Sequence, residues 1–281
     1  MEIAKDAYEL RQHLAGLDGD TIAFVPTMGN LHEGHLSLVR RGFAMAEHVV
    51  VSIFVNPLQF SPSDDLDAYP RTLERDLQLL AAEGVTLVFT PSEEGLYPEG
   101  LQVHTKVTVP GLTNVLCGRK RVGHFDGVTT VVCKLLNLVS PDIALFGEKD
   151  LQQLLVIRKM VADLGMSVQI ESVSTQRDAR GLALSSRNSY LSSEALDIAP
   201  ALYRNLVAVS DAVQGGARDY AGLCSAVIQR LNKLGFIGEY CEARRCSDLL
   251  PAQEEDTDVA IFCAAVLEGT RLIDNIVIEH Y

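Results

Sequence analysis

Between residues 21 and 173, short runs rich in β-branched and aromatic residues alternate with longer runs whose apolar positions recur at helical spacing. The strand-like runs lie at 21–25, 49–55, 85–89, 142–146 and 168–173. Helical patterns fall at 71–83, 127–139 and 150–164, and Leu36, Val39 and Phe43 supply one more apolar stripe. Strands that alternate with helices return parallel to one another, and each crossing helix covers a face of the sheet. This predicts an α/β fold, a Rossmann-like doubly wound parallel sheet. After Thr175 the rhythm changes. A polar stretch at 176–188 leads to helical patterns at 193–213 and 219–234, then to strands at 238–244, 259–267 and 271–278, with an acidic loop at 251–258. Helices followed by strands predict a smaller α+β domain, so the expected division is 1–175 and 176–281.

A chain of 281 residues with 47% hydrophobic residues is long and apolar enough for two folded cores, and it contains no 18-residue apolar stretch, so no membrane span is expected. Its first residues form neither a basic nor an apolar signal region, which predicts a cytoplasmic protein. Asp and Glu number 37 against 24 Lys and Arg, and the net charge of −13 disfavours nucleic acid as a partner. The six cysteines are scattered, as expected of reduced thiols; Cys241 and Cys246 are the one close pair and lack the second pair of a zinc site.

Chemistry-bearing residues sit where strands give way to helices. The first group follows residues 21–25: Pro26-Thr-Met-Gly-Asn-Leu-His-Glu-Gly-His35. Gly29 and Gly34 permit tight turning, and a helix beginning there would aim N–H groups at an anion, with His32 and His35 as further donors. A zinc-protease helix needs His-Glu-x-x-His, which this is not, so no metal site is read here. A general acid/base role for either histidine would need a partner that sequence alone does not reveal.

The second group, Asn56-Pro-Leu-Gln-Phe60, offers amides that orient a substrate without titrating. In the third, Gly147-Glu-Lys-Asp-Leu-Gln-Gln153, Asp150 and Gln153 suit a helix cap while Lys149 stands free to bridge phosphate oxygens. A basic run, Gly118-Arg-Lys-Arg-Val-Gly-His124, fits an anion site in an acidic protein. Finally, Gly181-Leu-Ala-Leu-Ser-Ser-Arg-Asn188 joins two hydroxyls to a guanidinium and suggests a lid over a nucleoside triphosphate.

In this order, together with Gly269-Thr-Arg-Leu-Ile-Asp-Asn275, these motifs resemble the pantothenate synthetase (pantoate–β-alanine ligase) family. His-x-Gly-His alone marks only the wider adenylyl-transferring superfamily; the combination is more specific. The resemblance implies that ATP and pantoate form pantoyl adenylate and pyrophosphate, and that β-alanine then displaces AMP to give pantothenate. It implies that the first domain binds ATP and pantoate beneath a C-terminal lid. His32, His35 and Lys149 would be the catalytic residues. ATP would meet these three with Ser185, Ser186 and Arg187, while Gly147 and Asp150 meet the adenosine and Met28 and Gln176 complete the set. Pantoate and β-alanine would contact Met28, Asn56, Gln59, Arg121, His124 and Gln153. The family also implies Mg2+ carried with ATP, no dedicated metal site in the protein, and a homodimer.

The chain departs from the family pattern at Arg180, where an acidic residue is usual, and in the basic run 119–122. Two other readings compete. A nucleotidylyltransferase acting on a phosphorylated substrate would need a second phosphate site and no amine site, and an ATP-sensing module would bind without turnover.

Overall fold

The computed structural model describes residues 1–60, 66, 67 and 69–278. Its elements run β1 (Glu2–Ala4), α1 (Ala7–Ala15), β2 (Ile22–Thr27), α2 (Glu33–Phe43), β3 (His48–Ile53), α3 (Leu73–Ala82), β4 (Leu87–Phe89), α4 (Glu93–Leu96), α5 (Leu116–Lys120), α6 (His124–Val139), β5 (Ile143–Gly147), α7 (Leu151–Asp163) and β6 (Gln169–Val173). Then follow α8 (Ser193–Ile198), α9 (Ala201–Gln214), α10 (Tyr220–Lys233), β7 (Ile237–Arg245), β8 (Val259–Leu267) and β9 (Thr270–Ile278).

The first six strands form one parallel sheet in the order β1-β4-β3-β2-β5-β6. Its middle strands bury Ala23, Phe24 and Val25 beside Val49, Val50 and Val51, as a sheet covered on both faces requires. From β2 the chain winds outward through β3 to β4, and β5 later returns to the other side of β2. The sheet therefore has its switch point between β2 and β5, where a crevice opens beyond the strands' carboxyl ends.

β7, β8 and β9 form a separate antiparallel sheet. Val259, Ile261, Cys263 and Ala265 pack in one core with Leu206, Val209, Val227 and Leu231 of α9 and α10. Tyr240, Ala260, Phe262 and Ala264 join instead the core that contains Phe125 of α6 and Leu151 and Leu154 of α7. The small sheet is thus seated against the helices of the large one.

Several boundaries differ from the sequence reading. Pro200 divides the expected helix at 193–213 into α8 and α9, because proline lacks an N–H and its ring obstructs the preceding turn. The expected helix at 127–139 begins at His124, entered through Gly123 at φ 81°. β1, α1, α4 and α5 lie outside the sequence reading; β1 and α4, of three and four residues, are too short to show a period. All six cysteines are free thiols. Among the described residues no helix is long and apolar enough to cross a membrane.

Candidate active site

A cavity of about 250 Å³ occupies the switch-point crevice. Its wall on the β2 side is the turn into α2, and the two histidines build that turn. His32 is the N-cap, and its Nδ1 accepts the Gly34 N–H at 3.1 Å; His35 Nδ1 accepts the His32 N–H at 3.3 Å. Each ring therefore carries its proton on Nε2 when neutral, leaving that N–H available as a donor. Burial, aided by the Lys149 charge, lowers the pKa of His32 to about 4. Burial and the neighbouring His32 lower that of His35 to about 3. At neutral pH the pair consists of uncharged hydrogen-bond donors.

On the β5 side, Gly147 ends the strand and a 3-10 turn over Glu148–Asp150 presents Lys149, whose ammonium lies 3.8 Å from Asp150. Asp150 makes no side-chain cap bond to α7, so the capping box expected with Gln153 is not formed. A third segment brings Gln176, Ser185, Ser186 and Arg187 to the same cavity. Ser185 caps the turn that follows it, accepting the Arg187 N–H at 3.3 Å.

The opposite wall is the turn after β3. Gln59 donates to Met28 Sδ at 3.0 Å and accepts from Asn56 Nδ2 at 3.1 Å, so both ends of its amide are held. Asn56 itself is buried behind this wall, outside the cavity lining. Its amide also donates to Gly127 O at 3.1 Å, and its oxygen accepts the Tyr97 hydroxyl at 3.0 Å. In this structure Asn56 acts on Gln59 from behind.

Arg121, just after α5, reaches the cavity together with His124 of α6 and Gln153 of α7. Arg121 Nη1 lies 2.9 Å from His124 Nε2, and His124 Nδ1 lies 2.6 Å from Gln59 O. A guanidinium only donates, so Nε2 accepts and Nδ1 carries the proton to the carbonyl. Of the basic run, Arg119 turns away to Glu242 of β7. Arg180 pairs with Asp178 and Asp197 on the surface.

The structure thus brings every sequence-derived site residue except Asn56 onto one cavity. Sequence reasoning missed Tyr69, which lines the cavity with Ser186 and has its pKa raised by burial. It also missed Asp76, a fully buried carboxylate that holds the turn before His32. An acid in the first turn of a helix reads as ordinary dipole compensation, and nothing local distinguishes this one. Among the described residues no three His, Cys, Asp or Glu side chains converge as a metal cage.

A family profile described as Pantoate-beta-alanine ligase matches residues 2–277. The chain belongs to the pantoate–β-alanine ligase family. A pantothenate synthetase of Azotobacter vinelandii is 51% identical over 277 residues, which span 98% of each chain. Among solved members of this ligase family, the pantothenate synthetase of Thermus thermophilus superposes with a TM-score of 0.93 at 45% identity over all of both chains. The pantoate–β-alanine ligase of Francisella tularensis, complexed with beta-gamma ATP and β-alanine, gives 0.84 at 35% identity, covering 100% of this chain and 99% of that one.

Proposed function

We propose that this chain condenses pantoate with β-alanine to pantothenate, using ATP and passing through pantoyl adenylate. The observation that carries the reading is the convergence of three segments on one cavity: the neutral His32–His35 pair, Lys149, and Ser185–Arg187, all facing the amide wall at Gln59. The cationic and hydroxyl side suits a triphosphate, and the wall of Gln59 and Met28 suits a small polyol carboxylate. The Francisella relative is complexed with beta-gamma ATP and β-alanine, which supports an adenine nucleotide and β-alanine as ligands here.

In the first step a pantoate carboxylate oxygen attacks the α-phosphorus. The new O–P bond forms as the bond to the β-phosphate oxygen breaks, and pyrophosphate leaves. Nε2–H donors of His32 and His35, with Lys149 and Arg187, stabilise charge spreading over the phosphates. In the second step the neutral β-alanine amine forms a bond to the acyl carbon as the acyl C–O bond to AMP breaks; AMP departs and the nitrogen's proton passes to solvent. No protein nucleophile is required. Alignment contributes ~7–11 kcal/mol to such a reaction and a well-placed donor ~3–4 kcal/mol. Mg2+ is proposed to enter bound to ATP, held chiefly through phosphate oxygens and supplying further charge neutralisation. This suits an ion that keeps most of its water.

The test is pyrophosphate release from ATP and pantoate, with and without β-alanine, using pantoate labelled with 18O in its carboxylate. Pantoate-dependent release and one label in AMP are expected. ADP as product, or AMP without the label, would overturn acyl adenylation; a stable adenylylated product without free AMP would favour a nucleotidylyltransferase.

A further inference from the structure

Asp274 and Asn275, adjacent on β9, reach from the small sheet to both segments that carry the candidate phosphate ligands. Neither lines the main cavity; they face a smaller crevice behind Lys149. The buried Asn275 amide donates to Glu148 O and to Lys149 O, each at 2.9 Å. An amide group has two hydrogens, so one side chain serves both carbonyls and fixes the backbone from which Lys149 projects. Asp274 receives two bonds from Arg177, at 2.6 and 2.9 Å. Arg177 also donates to Gly181 O at 3.2 Å, bridges Ala183 through its backbone and lies 3.4 Å from the Tyr203 ring centroid. That arrangement fixes the hairpin immediately before Ser185. The Asn275 backbone N–H donates to Asp274 Oδ1 at 2.9 Å, which joins the two anchors into one unit.

We propose that Asn275 and Asp274 are positioning residues for the ATP-dependent step, a reading that rests on the function proposed above. Asn275 sets the origin of the Lys149 side chain, and Asp274 acts through Arg177 on the approach to Ser185–Arg187. The small sheet then takes part in adenylation without touching the nucleotide. A lysine side chain is flexible, so the place of its ammonium depends on where its backbone is held. Displacement by ~1 Å can lower a rate ~100-fold.

The test is a double-mutant cycle on the full chain, read by single-turnover pyrophosphate release and by calorimetric binding of Mg·ATP and adenosine. Asn275→Ala should slow release by about 10–100-fold and weaken Mg·ATP more than adenosine. Combined with Lys149→Ala it should add less than about threefold, because the group it positions is gone. The same fold-loss in both backgrounds, or equal weakening of the two ligands, is the signature of a merely structural role and would overturn the proposal. So would a wild-type rate in Asn275→Ala. If that variant melts below the assay temperature, Asn275→Ser, which retains one donor, carries the same cycle. A wild-type chain that releases no pyrophosphate would sink the adenylation reading, and the binding cycle would still decide the positioning role.

Discussion

Asp76 Oδ1 accepts the Leu31 N–H at 2.8 Å, binding the first turn of α3 to the turn that leads into the histidines. Oδ2 accepts the Asn30 N–H at 2.8 Å and the Thr72 hydroxyl at 3.1 Å. Asn30 is in the left-handed region at φ 51°, a conformation Asn tolerates better than most residues but does not prefer. The buried carboxylate thus compensates a strained residue two positions before His32.

Asp76→Asn keeps the volume but replaces one acceptor by a donor facing N–H or O–H groups. It is expected to lower stability by ~2–4 kcal/mol, measured by urea unfolding. Adenylation should slow at least ~10-fold because the His32–His35 turn loses its anchor. A destabilised variant with a normal rate would show that other contacts fix the turn.

The histidine pair gives the protein a defined acid response. His32 and His35 titrate near 6.5 when unfolded, but at about 4 and about 3 in the fold, chiefly through burial. Between those values the unfolded chain binds more protons. Their contribution is complete above pH 6.5 and is lost as pH falls toward 4 and then 3. His32→Asn retains a helix-capping acceptor and removes one titration. It should reduce the slope of stability against pH by ~1.4 kcal/mol per pH unit between about 6 and 4.5. An unchanged slope would mean that His32 is not held neutral.

In the proposed mechanism Lys149 and His35 act on charge that develops during transfer. Lys149→Ala or His35→Ala should slow adenylate formation by ~100-fold or more with pantoate affinity little changed. Stopped-flow pyrophosphate release and equilibrium dialysis separate the two quantities. A near-normal rate in either variant would remove that residue from the transfer step.

α6 meets the Asn56–Gln59 turn through Gly127. A Cβ there would lie 2.2 Å from Leu58 O and 2.6 Å from Gln59 N, both backbone atoms that cannot step aside alone. Gly127→Ala should displace the turn, costing ~1–3 kcal/mol in stability and weakening pantoate more than ATP. Calorimetry with each ligand provides the check, and equal effects on the two would place the turn elsewhere in the reaction.

The parallel sheet is legible in the sequence because β2, β3 and β5 are dense in buried apolar residues between helices of distinct period. The polar motifs are legible because their chemistry is unusual at strand ends. What stays hidden acts over distance. Asp76 meets Leu31 and Asn275 meets Lys149 across 45 and 126 residues, and neither pairing leaves a local pattern. Asn56 is legible as an amide at a strand end, but its hold by Gly127 and Tyr97 is not, since those partners lie 71 and 41 residues away. The division of the helix at Pro200 is written in the sequence, and the apolar period on either side outweighs it in the reading.

Tyr97 tests the indirect role of Asn56. Its hydroxyl donates to Asn56 Oδ1 at 3.0 Å, and Asn56 Nδ2 in turn donates to Gln59 Oε1 at 3.1 Å, a relay that ends on the cavity wall. Tyr97→Phe removes the first bond and leaves the ring that packs 6.3 Å from Phe54. Loss of one such bond is worth ~1 kcal/mol, so pantoate affinity should fall about fivefold while that of Mg·ATP is unchanged. Gln59→Ala should weaken pantoate further, and in that background Tyr97→Phe should add little, since the relay no longer has an end to act upon. Calorimetric titration of pantoate into the four proteins measures the coupling. Additive losses would show that Tyr97 supports the fold alone, and that the Asn56 amide does not transmit its position to the substrate wall.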